Sequence, residues 1–165
     1  MSPSTQTQLV FGRWVFTGQT ALSHGAVAIQ GDTIVEVGSQ DDLRQKYPHA
    51  AVVGSNQFAV MPGLINAHHH SNGVPNSLQG VSDDFLEPWL FSLLCLRGQD
   101  PLPQTLFSID RLLRSGVTSV VDFTIMSGTV EHCHNLLAHR LKAYEQAGMR
   151  VALAAGAKYQ SHLVH

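Results

Sequence analysis

The sequence predicts an α/β protein: a β-rich N-terminal part followed by strands that alternate with helices. Three observations carry this. Residues 9–60 are dense in short runs of β-branched and aromatic residues, the types that suit a pleated surface. Past Met61, the apolar runs "LINA", "GVTSVVDF" and "RVALAAG" alternate with helical patterns. That order implies a parallel sheet with crossover helices. Finally, only 13% of the 165 residues are charged, against roughly 25% in soluble domains, so much of the chain is set up for burial.

The elements follow in chain order. "LVFGRWVFTG" and "GAVAIQGDTIVEVG" read as strands. Gly31-Asp32 between "VAIQ" and "TIVEVG" is a hairpin signal, because glycine reaches positive φ without a steric cost. "SQDDLRQKYP" reads as one short helix stopped by Pro48, and "AVV" and "FAVM" as two further strands. "LINA" (residues 64–67) is a continuous apolar run, as in a strand buried on both faces. Residues 71–83, rich in Ser, Asn, Gly and Pro, read as a long loop. "DFLEPWLFSLLCLR" reads as a helix, with Asp84 and Glu87 at capping-box spacing and Phe85, Leu86, Trp89, Leu90, Leu93 and Leu94 on one apolar face. "PQTLFSIDRLLRSG" is a second helix, stopped at Gly116. A third is expected from about Thr129 to Ala147, with Val130, Cys133, Leu137, Leu141 and Tyr144 as its buried stripe.

Composition excludes several classes. A net charge of −2 leaves no electrostatic footprint for nucleic acid or an anionic membrane. No apolar run reaches the roughly 18 residues of a membrane span. The opening "MSPSTQTQLVFG" lacks the basic-then-apolar order of a secretory leader. Cys95 and Cys133 match no paired spacing, so a reduced, cytoplasmic setting is the expectation.

The one compositional surplus is histidine, ten in all, with three in a row in "MPGLINAHHHSNG". Side chains on a strand alternate faces. His68 and His70 therefore point one way and His69 the other. Two imidazoles one strand period apart can reach a single ion. The competing reading is a histidine-rich loop with no ligand role. The apolar strand in front and the Gly/Asn/Pro loop behind favour the metal, and His69 is assigned a structural place on the outer layer.

"VMPGLINAHHH" resembles the first-strand signature of the amidohydrolase superfamily, Pro-Gly-aliphatic-aliphatic-Asn/Asp-x-His-x-His. "LQGVSDDFLEPWL" and "LLRSGVTSVVDF" are similar to the following segments in the branch of cytosine, guanine and S-adenosylhomocysteine deaminases and chlorohydrolases. "GAVAIQGDTIVEVG" resembles that family's small N-terminal β-sandwich. The resemblance implies residues 1–60 as the N-terminal part of the sandwich and 61–165 as the start of a (β/α)8 barrel. His68 and His70 would be the first two ligands of one divalent ion, Zn²⁺ ahead of Fe²⁺. A metal-activated water would displace an amino group or a halide from a small heterocycle.

The family's later ligands and acid/base residues have no counterpart before His165, and only about three barrel strands are expected, near 63–68, 117–123 and 150–155. A complete barrel takes about 250 residues. The 165-residue chain is therefore expected to be an N-terminal fragment, inactive alone and prone to aggregate through an unpaired sheet edge. A chlorohydrolase, an imidazolonepropionase-like ring hydrolase and a non-catalytic interaction protein remain as alternatives. So does assembly with a separate chain that supplies the missing strands, or a homo-oligomer in a longer form.

Other candidates are weaker. Asn72, Gln79 and Trp89 are placed beside the substrate by their position after the first strand. Asp122, at the end of the second, is either close to the substrate or, the preferred reading, a loop-anchoring carboxylate. His132 and His139 are read as solvent-facing and His134 as flanking the buried stripe, none of them as a ligand. His162 and His165 follow the third strand, with no spacing that demands a ligand.

Overall fold

The runs marked as β in the first sixty residues pair into a single mixed sheet. In this computed structural model, which describes residues 6–157, the chain divides into two units, 1–62 and 63–165. The first unit contains β1 (Thr7–Phe16), β2 (Ala21–Gln30), β3 (Thr33–Ser39), α1 (Gln40–Lys46) and β4 (Ala51–Val60). Their order in the sheet is β3-β2-β1-β4. β2 and β3 form the hairpin expected at Gly31, whose φ is +62°. β1 and β4 run parallel, so the chain must cross over between β3 and β4, and α1 lies in that crossover.

Local chemistry fixes α1. The Ser39 hydroxyl accepts the Asp42 N–H at 3.1 Å, capping the helix. Asp41 and Asp42 lie in the first turn and Arg44 and Lys46 in the last, each sign matched to the helix dipole. Leu43 is buried against Leu9, Phe11, Ala26 and Ala28. The opposite face carries an apolar hollow of about 330 Å³, lined in part by Val27, Ile34, Val37 and Met61. "AVV" and "FAVM" are one strand rather than two. The break between them is a register jump, from Gly12 opposite Ser55 to Trp14 opposite Ala59, that the ladder absorbs.

The second unit is α/β as expected. β5 (Leu64–His69), β6 (Val117–Met126) and β7 (Arg150–Ala157) form a parallel sheet in that order. Between β5 and β6 run a 3-10 turn (Asn76–Gln79), α2 (Leu86–Leu93) and α3 (Pro101–Arg114); α4 (Val130–Ala147) joins β6 to β7. Asp100 caps α3 and Thr129 caps α4, each through its side chain. Ile109, Leu112, Val117, Val120, Ala143, Tyr144 and Met149 form the core between the helices and the sheet. Full burial of a residue such as Ile109 stabilises by about 1.5–3 kcal/mol. Among the described residues no helix is long and apolar enough to cross a membrane.

Four expectations fail here. The "LINA" strand is not buried on both faces: Leu64 and Ile65 are 47% and 73% exposed. The Asp84–Glu87 capping box does not form. Asp84 accepts only the N–H of its neighbour Phe85, and α2 starts after Phe85 with no side-chain cap. The apolar face assigned to α2 is not buried: Phe85, Leu86 and Leu94 are 82%, 61% and 67% exposed. Finally, the expected buried stripe of α4 is fully buried only at Tyr144. Val130 is 83% exposed, whereas Arg140, Ala143 and Tyr144 are buried. The physical reason is that Arg140 finds a buried partner on β6, described below. His132 and His139 are exposed as expected, and His134 is exposed as well. His162 and His165 lie outside the described residues.

Candidate metal centre

β5 delivers the three histidines to the end of the parallel sheet. Strand alternation puts His68 and His70 on one side, and their Nε2 atoms converge to 3.1 Å. The two rings meet edge to face, with centroids 4.8 Å apart. His70 Nδ1 lies 2.8 Å from the carbonyl oxygen of Phe123 on β6. A carbonyl only accepts, so Nδ1 carries the proton and Nε2 of the neutral ring keeps its lone pair. This is the outer-shell arrangement that holds a ligating histidine in one tautomer and orientation.

The pair fits a divalent ion. Two ring nitrogens at 2.0–2.1 Å from a tetrahedral ion lie about 3.3 Å apart, close to the spacing the two side chains already have. Among the described residues no group of three His, Cys, Asp or Glu is placed to hold a metal. The pair could offer an ion two ligands, one fewer than a catalytic zinc site usually takes from protein.

His69 points to the other side of β5, opposite Asp122 in the ladder. It borders a cavity of about 500 Å³ whose walls include His70, Asn72, Asn76, Ser108 and Arg111. Its Nε2 is buried with no hydrogen-bond partner among the described residues. Burial pushes the His69 pKa below its ordinary value, and the Asp122 carboxylate pulls the other way.

The loop after β5 is tied back to the helix layer. The Gly73 N–H donates to Ser108 Oγ on α3 at 3.0 Å. A side chain at Gly73 would run into the backbone of Gln104, and its φ of +64° also favours glycine. Of the residues expected beside a substrate, Asn72 shares the cavity wall with His69 and His70. Gln79 instead accepts from Gln99 Nε2 at 3.1 Å, and Trp89 is half-buried on α2. Neither borders the histidine cavity.

Asp122 is not a substrate-facing group. It is 0% exposed, and its carboxylate is occupied by protein donors. It accepts the Ser71 N–H at 3.2 Å, the Ser71 hydroxyl, the Tyr144 hydroxyl at 3.1 Å and Arg140 Nη1 at 3.1 Å. The loop-anchoring reading is the one the geometry supports. Arg140 Nη1 also donates to Thr124 Oγ1 at 3.0 Å, while Arg140 Nε is buried without a partner among the described residues. Sequence reasoning missed Ser71, Arg140 and Tyr144 as members of this site. One signal was available: Leu136, Leu137, Ala143 and Tyr144 flank Arg140 at helical spacing, and a charge on an apolar face needs a buried partner.

The chain is similar to known proteins along most of its length. Residues 25–50 match the imidazolonepropionase-like composite domain of bacteria. The chain is 28% identical over 141 residues to a 5-methylthioadenosine/S-adenosylhomocysteine deaminase of Syntrophus aciditrophicus, covering 81% of this chain and 29% of the relative. It is 30% identical over 136 residues to the enzyme of the same name from Carboxydothermus hydrogenoformans, covering 79% and 28%. Among solved structures, an adenosine deaminase from Xanthomonas campestris with bound zinc superposes with a TM-score of 0.73 at 27% identity, over 90% of this chain and 34% of that one. The chain thus spans less than a third of the length of the curated relatives it matches. The parallel sheet and these relatives together support the resemblance to the N-terminal part of amidohydrolase-superfamily deaminases.

Proposed function

We propose that this chain contributes the first two ligands of a divalent-metal hydrolase that removes an amino group from a heterocycle in a small molecule. The observation that carries the reading is the convergence of His68 and His70 Nε2 at 3.1 Å, with His70 Nδ1 tied to Phe123. A divalent ion, zinc by analogy with the zinc-bound deaminase neighbour, would supply an activated water near neutral pH. His68 and His70 would hold it. The chain's own task is orientation: the Phe123 carbonyl keeps the His70 proton on Nδ1, and the Ser71–Gly73 loop, pinned to Asp122 and Ser108, holds the strand end still.

In this reading residues 1–60 are one layer of a small β-sandwich, and the apolar hollow at Val27, Ile34 and Val37 is its inner face. Residues 61–165 are the start of a (β/α)8 barrel, and later strands would add the remaining ligands and the acid/base groups. Two free cysteines, one of them exposed, fit a reducing cytoplasm. The 165-residue chain alone is expected to be inactive, because among the described residues only two histidines are placed to hold the ion, one short of the three protein ligands usual for catalysis.

The test is ammonia release from 5′-methylthioadenosine and S-adenosylhomocysteine, the substrates in the relatives' names. The assay uses the native gene product that carries this chain. Activity that is lost on chelation, restored by zinc and abolished by His68→Ala or His70→Ala supports the proposal. Full activity in both variants overturns the ligand assignment.

A further inference from the structure

The His-x-His arm is poorly held by its own strand ladder. β5 pairs with β6 regularly only in part: the register slips between Asn66 and His69, so His68 has no ladder partner, His69 pairs with Asp122, and His70 lies past the end of β5. Something else must fix this arm. Two consecutive residues of β6 take over. The Phe123 carbonyl accepts from His70 Nδ1 on one side of the sheet. On the other, the Asp122 side chain takes both the N–H and the hydroxyl of Ser71, the residue next to His70. Asp122 in turn is locked by Arg140 and Tyr144 of α4, and Ser71 Oγ lies 2.8 Å from Tyr144 Oη.

We infer that Asp122, Arg140 and Tyr144 are positioning residues for the metal site, acting on His70 through Ser71. A buried ion pair is weak evidence for stability, since well-packed apolar residues of similar volume often do as well or better. Stability alone therefore does not account for enclosing Asp122 and Arg140 here. The distinctive product of the network is a fixed Ser71, and through it a fixed His70. The network acts on the arm from α4, the helix that follows β6. Helix α4 thereby sets the geometry of a site to which it contributes no ligand.

The inference rests on the proposed metal reading, and the experiment separates the two. Asp122→Ala would strand the Arg140 charge and unfold too much to be informative. Ser71→Ala removes the hydroxyl tie to Asp122 and Tyr144, weakening the link between network and arm to the Ser71 N–H bond alone and leaving Asp122, Arg140 and Tyr144 together. Ser71→Thr keeps the hydroxyl, and Tyr144→Phe is a second cut, made from α4, that removes the Tyr144 hydroxyl from both Asp122 and Ser71. The first readout needs no metal: imidazole ¹⁵N shifts of His70 in the metal-free chain at about pH 8, where a free imidazole is neutral. The parent chain should show His70 fixed with its proton on Nδ1. Ser71→Ala should show shifts averaged between tautomers, and Ser71→Thr should restore the parent pattern.

The second readout is Co²⁺ affinity, followed by its visible absorption. Loss of an outer-shell partner typically weakens a metal site by about 10–100-fold. That loss is expected for Ser71→Ala, a smaller one for Tyr144→Phe, and none for Ser71→Thr. A Ser71→Ala chain that melts like the parent, keeps the fixed tautomer and binds Co²⁺ equally well overturns the inference. If the parent chain takes no Co²⁺ while the tautomer result holds, the positioning of His70 stands and the metal reading falls.

Discussion

The two faces of β6 are built in opposite ways. On the helix side, Val120, Asp122 and Thr124 are 2%, 0% and 1% exposed. That face is finished, even though it carries a carboxylate and a guanidinium. On the other side, Phe123 and Ile125 are 38% and 54% exposed, and Ile65 of β5 is 73% exposed. That face is apolar and uncovered, and it is where His68 and His70 converge. Burial here does not follow hydrophobicity. Polar groups are buried where partners satisfy them, and apolar groups stay open where no described residue covers them.

The largest effect should come from breaking the finished face. Asp122→Ala leaves Arg140 buried without its counter-charge, and removal of one partner of a buried pair costs about 3–5 kcal/mol. Denaturant unfolding of the 165-residue chain should show that loss; a change within error would mean that water already reaches the pair. The next effect compares one residue type at two sites. Ile109→Ala, in the core beneath that face, should cost about 2–5 kcal/mol. Ile65→Ala, on the open face, should stay within about 0.5 kcal/mol. Equal costs at the two positions would erase the contrast.

A subtler effect is pH-dependent. Burial raises the Tyr144 pKa well above its ordinary value of 10.0. Above pH 10 the unfolded chain therefore loses this proton while the folded chain retains it. The unfolded state binds fewer protons, so stability is complete below pH 10 and falls as pH rises beyond it. Tyr144→Phe should flatten that alkaline fall while lowering stability at neutral pH. An unchanged alkaline slope would assign the fall to other groups. The mildest change concerns the open face alone: Ile65→Thr with Ile125→Thr should reduce light scattering by concentrated chain and leave the melting temperature nearly unmoved.

Much of this was legible locally. The Gly31 hairpin, the short helix before Pro48, the alternation of strand and helix past Met61, and the shared side of His68 and His70 all follow from spacing within a few residues. What escaped depends on distance. Ser71, Asp122, Arg140 and Tyr144 are scattered over more than seventy residues, and no local pattern joins them. The buried stripe of α4 was misread in part for the same reason: at 100° per residue Arg140 counts as a polar position, until Asp122 gives its charge a buried partner. The Asp84–Glu87 cap failed because α2 begins one residue too late for Asp84 to serve as its cap.

The central claim is that His68 and His70 bind one ion together. The most direct test is a zinc-edge anomalous difference map from crystals of the protein grown with Zn²⁺. The account predicts one strong peak within 2.0–2.1 Å of both Nε2 atoms, absent in His70→Ala crystals. A map with no peak between the two rings, or with zinc only on surface histidines such as His132 and His139, would contradict it.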